Sequence, residues 1–595
     1  MKFKVIGMDT ETYLDFEKMQ HLPLSVQFYS DIYRDIYYVY KLEEIERLKQ
    51  NIKKYIYDSV IAVFNGWFDI MVLANVLKDT SAKIEIISAS SRFIRAKIVL
   101  NKKTCTIIDM RNIFAVSSLK ELGKIVGIEK LPKPAELGLP TIIKKIETDE
   151  EYRKQFEQYA LRDAEICYKA MLIALRNFYG YVKNRRQLKS TISAISMQKF
   201  MNMYRNTYTS EIAQFPTFSE SLEKFLRKAY RGGRTETFIR GTIESTINYY
   251  DVNSLYPFVM YKYPYPIISK NLLFSYRIKD NVNLDNEGIA YTLVSIDHPF
   301  PPLGIKYRCR DSYVRLVFPS GRFAGVFTYP ELRTLEEYGG RIEKVFKAVE
   351  WTHKFYPFSD LMKQLYEERL KAKKENNKEY AHTMKILMNS LYGKFGEYKT
   401  SKKIVIQNAQ VKEIKEMNNK TRRYANVVWA SYITAYARLE LFNYLTKVNE
   451  KDLLYCDTDS IVTTADLDSY TGESMGQLKK EYTASTATFI RSKFYIIDNV
   501  LRIKGFAREY TDQKTIETIK MRIAQGKLII EQTEIIKPLK AIAQGRKMLE
   551  QWIFFKEFST DPDYKRVYHK YLSSKELLEQ FTYSNPITIK NKELV

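Results

Sequence analysis

Acidic residues recur in this sequence where two or three of them could hold one divalent cation. Asp9-Thr10-Glu11 follows the apolar run KFKVIGM and closes a first strand, with both carboxylates on one side of it. Asn65-Gly66-Trp67-Phe68-Asp69 follows a second apolar run, and Tyr159 and Asp163, four apart, share a helix face. Asp9, Glu11, Asp69, Asp163 and Tyr159 together suffice for two Mg²⁺ ions and an oriented attacking water. A second set begins with Asp251, which ends the run INYY in Asp251-Val252-Asn253-Ser254-Leu255-Tyr256-Pro257. Leu453-Leu454-Tyr455-Cys456-Asp457-Thr458-Asp459-Ser460 reads as a hairpin with Asp457 and Asp459 at its turn. One acid on a neighbouring strand plus this pair suits in-line phosphoryl transfer: one ion lowers the pKa of an attacking hydroxyl, the other neutralises a triphosphate leaving group. Taken singly these are weak signals, since acid-x-acid pairs arise by chance and YCDTDS alone is an ordinary Asx turn. Their recurrence along one chain is what carries weight.

Anion-binding chemistry appears in MKILMNSLYG. At 100° per residue, Lys385, Asn389 and Tyr392 fall on one helix face, and Lys374 and Lys378 return to that face. Such a row suits phosphates followed by a sugar and base, and Gly393 would let backbone approach a base pair. For Lys374 and Lys378 a solvated charged face is the simpler reading. Lys385 is the lone charge in an apolar run and needs an anionic partner.

These groups must be positioned by elements the pattern also shows. Residues 1 to about 187 alternate strand-like and helical runs, as in an α/β unit with a mixed sheet. The span 240–300 is strand-rich, 358–395 is helical, and 397–427 is short, basic and strand-like. Length 595 gives a prior of several domains, and 95 Lys plus Arg against 70 Asp plus Glu leaves +25, favouring a polyanion such as nucleic acid. The four cysteines are far apart with no C-x-x-C, and the five histidines are scattered, so neither a disulfide framework nor a zinc site is readable. There is no P-loop, no secretory leader pattern and no apolar stretch fit to span a membrane, so no membrane partner is expected.

The first acidic set resembles the three-motif signature of 3′–5′ proofreading exonucleases of the tyrosine-containing subclass. DVNSLYP, KILMNSLYGKF and YCDTDS, in that order behind it, resemble the family B DNA polymerases. Smaller elements agree: Tyr230-Arg231-Gly232-Gly233 resembles a template-touching segment, Thr434-Ala435-Tyr436-Ala437-Arg438 a primer contact, and Lys493-Phe494-Tyr495 a primer grip. Ser118-Leu119 resembles an element guiding single-stranded DNA into the exonuclease. The early first motif and the gaps after Pro257 and Lys394 point to the protein-primed branch of phages and linear plasmids, with one insertion docking a terminal protein and another displacing strands. The family also has an exonuclease lysine; Lys133, Lys144 and Lys145 are candidates, with Lys133 preferred.

The resemblance implies a multidomain α/β and α+β fold: a ribonuclease H-like exonuclease followed by a right-hand polymerase. It assigns 1–187 to the exonuclease, 188–262 and 428–530 to the palm, 263–357 to the first insertion, 358–396 to the fingers, 397–427 to the second insertion and 531–595 to the thumb. Asp251 and Asp459 would hold two Mg²⁺ (or Mn²⁺) ions, with Asp457 assisting and Val252 in the metal and nucleotide sets. Asp9, Glu11, Asp69 and Asp163 would hold the exonuclease ions, and Tyr159 would orient water. Lys385, Asn389, Tyr392 and Tyr256 would take the dNTP, Tyr256 excluding a 2′-hydroxyl. DNA contacts would come from Asn65, Phe68, Ser118, Leu119, Tyr230, Gly232, Gly233, Ser254, Gly393, Thr434, Arg438, Lys493 and Tyr495. Expected partners are template and primer DNA, a terminal protein serving as primer, and single- or double-stranded DNA-binding replication proteins. The expected state is a monomer or a heterodimer with the terminal protein, in the cytoplasm of a prokaryotic host. A polymerase extending conventional primers, and a scaffold in which the nuclease alone acts, are the competing readings.

Overall fold

Ser59–Val63 is buried at every residue, as a strand covered on both faces must be. In the computed structural model it lies between two parallel neighbours, Lys4–Asp15 and Lys103–Asp109. The described residues are 3–15, 20–89, 92–134, 139–180, 182–208, 212, 218–269, 276–397, 401–417, 424–498, 500–505, 513–535 and 551–592. They divide into two units: Met1–Lys199, Leu365–Arg422 and Glu531–Phe554 form one, and Phe200–Gln364, Arg423–Ile530 and Phe555–Val595 the other.

The first unit is built on a nine-stranded mixed sheet. Its order is Gln410–Met417, Ser401–Gln407, Lys83–Ala89, Arg92–Leu100, Lys103–Asp109, Ser59–Val63, Lys4–Asp15, Gln20–Tyr29, Arg34–Tyr38. The helix Glu150–Ala174 packs on the Lys4–Asp15 strand, and Asp149 caps it by accepting from the Tyr152 N–H at 3.0 Å. Gly7 permits that approach, since a Cβ there would meet the Ala164 carbonyl oxygen at 1.9 Å. Asp9 and Glu11 do not close their strand as expected; they lie inside it. The antiparallel partner Gln20–Tyr29 keeps the ladder paired as far as Asp15, while parallel pairing stops at Gly7. The basic segment expected to be β-rich forms the hairpin Ser401–Gln407 and Gln410–Met417, which pairs antiparallel with Lys83–Ala89. Residues 398–400 and 418–423 of that segment lie outside the described residues.

In the same unit Asn377 caps the helix Lys378–Ser390, accepting from the Tyr380 N–H at 3.0 Å. The single lysine-bearing face expected there is interrupted. Lys374 ends a preceding helix and is separated from Lys378 by Asn376 in a left-handed conformation, φ 54°. Tyr392 begins a separate short helix, Tyr392–Phe395. Lys385 is exposed, so the apolar run around it exacts no desolvation cost, correcting the inference that its charge needs an anion for burial.

The second unit centres on an antiparallel sheet ordered Val500–Ile503, Phe494–Ile497, Leu478–Arg491, Ile239–Val252, Ser460–Thr463, Leu453–Asp457, Thr235–Thr237. Phe581–Pro586 joins it by pairing with the start of Ile239–Val252. A five-stranded sheet, ordered Arg277–Lys279, Arg341–Trp351, Glu287–Ile296, Ser320–Thr328, Thr588–Lys592, takes its last strand from far along the chain. The helix Val427–Leu445 is buried around nearly its whole circumference, which is why its sequence shows no polar stripe. Residues 536–550 lie outside the described residues, and among those described no helix is long and apolar enough to cross a membrane.

Candidate active sites

Asp9, Glu11 and Asp163 present ligand oxygens within 4.8 Å of one another. The strand supplies the first two and the helix the third. Asp69, on the helix Trp67–Val76, is buried beside them and accepts from the Thr10 hydroxyl at 3.0 Å. Burial, compounded by the neighbouring carboxylates, pushes Asp9 well above the usual carboxylate range. Burial likewise raises Glu11 and Asp69, each to about 8. Asp9 accepts from the Gln27 amide at 3.1 Å, while Asp163 Oδ1 is buried with no hydrogen-bond partner. Buried oxygens so sparsely satisfied fit a divalent cation, whose ligand set would be these carboxylates.

The lysine reaching this cluster is Lys130, which sequence reasoning missed. Its ammonium donates to Asp163 Oδ2, lies 3.5 Å from the Tyr159 hydroxyl and sits 4.6 Å from the Tyr159 ring centre. Lys133 instead stands 4.2 Å from the Tyr13 ring centre, where its charge also bears on Glu11. Lys145 lies 5.2 Å from the Tyr152 ring centre, and Lys144 lies on the same helix, Leu139–Thr148. No local pattern marks Lys130 among its basic neighbours. Asp109 was missed too, though a strand-end acid after KTCTII was visible. It accepts from the Asn65 and Gly66 N–H groups at 3.1 and 3.2 Å, fixing the turn before Asp69. Asn65 is left-handed there, φ 61°, and Phe68 packs edge-on against His21. Ser118 caps the helix Leu119–Val126 by accepting from the Glu121 N–H at 3.1 Å.

In the second unit, strands Leu453–Asp457 and Ser460–Thr463 form the expected hairpin around Thr458, φ 62°, and Asp459. Asp251 pairs across from Ser460, and the Val252 N–H donates to the Asp459 carbonyl at 2.7 Å. The Asp457 carboxylate is richly satisfied. Thr235, Thr458 and Tyr455 hydroxyls donate to it at 2.9, 3.1 and 3.2 Å, and the Lys493 ammonium straddles it at 2.6 and 2.5 Å. Tyr495 is buried with its ring 5.1 Å from that of Tyr455. Tyr256 lies on the helix Leu255–Lys262, after Ser254 at φ 51°. Tyr230 is half-buried, Gly232 is exposed, and a Cβ on Gly233 would come 2.8 Å from Thr458 Cγ2. Thr434 and Arg438 are both buried, and the Thr434 hydroxyl is bonded to its own helix backbone. Lys385, Asn389, Tyr392 and Gly393 belong to the first unit, and a Cβ on Gly393 would meet nothing within 4 Å.

Two acidic sets with the strand and helix placements above invite comparison with known proteins, and a family described as DNA polymerase type B, organellar and viral, matches residues 139–473. The chain belongs to that family. A "Probable DNA polymerase" of Podospora anserina is 27% identical over 440 residues, covering 62% of this chain and 34% of that protein. The DNA polymerase of an Acidianus bottle-shaped virus is 23% identical, covering 58% of this chain and 49% of its own. This type B family chain thus spans less than half the length of those relatives. With the DNA polymerase of Bacillus phage Nf it shares 24% identity over 68% of this chain and 72% of the phage protein. Among solved structures, Phi29 DNA polymerase complexed with primer-template DNA matches with TM-score 0.69 and 17% identity, over 94% of this chain and 100% of that one. The fold is therefore the expected one, an exonuclease-type domain with a palm, fingers and thumb.

Proposed function

We propose that the chain is a template-directed DNA polymerase with 3′–5′ proofreading, started by a terminal protein and able to displace strands. The observation that carries the reading is the palm hairpin, with Asp457 and Asp459 at its turn and Asp251 on the adjoining strand, in a chain of the type B family. Bound Mg²⁺ or Mn²⁺ would supply charge neutralisation and an activated oxygen nucleophile at each site. Asp251, Val252 and Asp459 would hold those ions in the palm; Asp9, Glu11, Asp69 and Asp163 would do so in the exonuclease. Lys493 fixes the Asp457 carboxylate, and with Tyr495 would set the primer end in line. Lys130 offsets the Asp163 charge, leaving the Tyr159 hydroxyl to orient the water that attacks a frayed strand held by Asn65, Phe68, Ser118 and Leu119. On the strength of their motif, Lys385, Asn389 and Tyr392 take the dNTP, with Tyr256 excluding a 2′-hydroxyl. Tyr230, Gly232, Gly233, Ser254 and Gly393 are assigned to DNA.

Protein priming would rest on the two expected insertions; four strands of the five-stranded sheet fall within 263–357 and a hairpin falls within 397–427. The likeness to Phi29 DNA polymerase complexed with primer-template DNA supports DNA as ligand. The family's phage members support a replication role in an infected cell, and other DNA-binding replication proteins are natural partners. Primer extension on a long singly primed circle tests the reading, using wild type, Asp459→Ala and Asp9→Ala without accessory proteins. Products many circle-lengths long, lost only in Asp459→Ala, are expected. No synthesis by wild type beside intact Asp9-dependent degradation would leave a nuclease scaffold. Transfer of a labelled nucleotide to a terminal protein separates protein priming from extension of conventional primers.

A further inference from the structure

A buried arginine in an apolar helix needs a counter-charge and partners for its fork of N–H groups. Arg438 is 2% exposed on the helix Val427–Leu445. Its Nη2 donates to Glu331 Oε1 at 2.7 Å, and its Nη1 donates to the carbonyls of Arg231 and Gly232 at 3.1 and 3.0 Å. Both of its terminal nitrogens are thus committed to protein acceptors, and its Nε is buried. Glu331 is fully buried in the first turn of the helix Tyr329–Glu337, where its Oε2 accepts from the Thr328 N–H and hydroxyl, each at 3.0 Å. Burial alone would raise its carboxyl, but the Arg438 and Arg231 charges hold it below the ordinary value. Arg231, also buried, donates to the Val326 carbonyl and lies 5.0 Å from the Phe327 ring centre.

Both ends of this network matter. Glu331, Val326 and Thr328 lie within 263–357, the first insertion. Residues 231–235 lie against the palm hairpin. Gly233 fits against Thr458 only because it lacks a Cβ, the Thr458 N–H donates to the Arg234 carbonyl at 2.7 Å, and the Thr235 hydroxyl donates to Asp457 at 2.9 Å. We propose that Glu331 is a positioning residue for polymerisation: through Arg438 and Arg231 it holds the 231–235 segment against the turn that carries Asp457 and Asp459. The insertion then serves the catalytic hairpin whatever primes synthesis, and Arg438 acts from beneath the site. This rests on the polymerase reading.

The test uses the full chain with Glu331→Gln, Glu331→Asp and Thr328→Val. Single-nucleotide incorporation is split into kcat and dNTP KM, with primer–template affinity, exonuclease rate on single-stranded DNA and melting temperature measured alongside. Glu331→Gln is expected to lower kcat by roughly 10- to 100-fold, since a displacement of about 1 Å at a reacting centre costs on that order. DNA affinity and exonuclease rate should stay near wild type, and Glu331→Asp should recover part of kcat. An unchanged kcat in folded Glu331→Gln overturns the proposal. So does a loss confined to DNA affinity, which a primer-contacting Arg438 would give. If Glu331→Gln does not fold, Thr328→Val decides, because it keeps every charge: a lowered kcat at unchanged melting temperature supports the proposal, and an unchanged kcat overturns it. A wild type that extends no primer removes the polymerase reading itself, whereas an active wild type with unaffected variants removes this inference alone.

Discussion

The two acidic sets solve the same electrostatic problem in opposite ways. In the first unit, Asp9, Glu11, Asp69 and Asp163 are crowded together, and the Lys130 ammonium donates to Asp163. Burial raises all four, so without a cation part of the set holds protons near neutral pH. In the palm, Asp457 is half-exposed and already receives three hydroxyls and an ammonium. The first set is assembled by burial and would be completed by cations; in the second, donors fix the Asp457 carboxylate beforehand. Metal dependence of stability should therefore concentrate in the first unit, while the turn carrying Asp457 keeps its shape unaided.

The sharpest way to break that comparison is to remove one carboxylate from each set. Asp459→Ala should lower primer extension by about 10³-fold or more, the loss of several kcal/mol of charge stabilisation, and leave single-strand degradation intact. Asp9→Ala should do the converse. If either variant lost both activities while still melting like wild type, the assignment of separate sites would fail. Next in size, Lys130→Ala should lower exonuclease rate by about 10- to 100-fold, in the range for groups that orient a metal ligand. Lys133→Ala should cost much less, and equal losses would return Lys133 to the site.

The difference between the sets also explains what the sequence could and could not tell. Carboxylates at Asp9, Glu11, Asp163, Asp251, Asp457 and Asp459 were legible because strand and helix periods constrain where they point. The hairpin around Thr458 followed from its turn chemistry, and the α/β pattern of the first unit from its apolar runs. Groups that act across the fold were not legible. Lys130 is 33 residues from Asp163, Thr235 is 222 from Asp457, and Glu331 is 107 from Arg438. No local spacing encodes such pairs. Helix breaks were missed for another reason: Asn376 and Asn377 act as turn and cap within a run whose period continues past them.

A pH series sharpens the contrast further. Glu11 and Asp69 stand at about 8 in the folded, metal-free chain and near 4 when unfolded, so between those values the folded state binds more protons. Their contribution is fully present below about pH 4 and is lost as pH rises toward 8. Melting of EDTA-treated protein should thus fall in temperature from pH 6 to pH 8.5, and added Mg²⁺ should raise it most at the higher pH. Asp9→Asn should flatten both trends. A melting temperature rising across that window without metal would show that burial does not govern these carboxylates.

The smallest effect belongs to an ion pair of the same kind placed in water. Lys403, on the hairpin Ser401–Gln407, lies 3.4 Å from Glu85 on the neighbouring strand, and both side chains are partly exposed. Solvent does for Glu85 much of what Lys130 does for Asp163, and Lys83 is also within reach at 3.2 Å. Lys403→Ala should therefore change unfolding free energy by no more than about 0.5 kcal/mol, as exposed pairs do. Ile404, the next residue, is fully buried in the apolar core of the sheet, and Ile404→Ala should cost about 2–5 kcal/mol. Urea titrations of the two variants decide whether the hairpin is held by packing or by charge. A Lys403→Ala cost matching that of Ile404→Ala would mean that charge pairing organises the nine-stranded sheet at its edge as well as at its acidic centre.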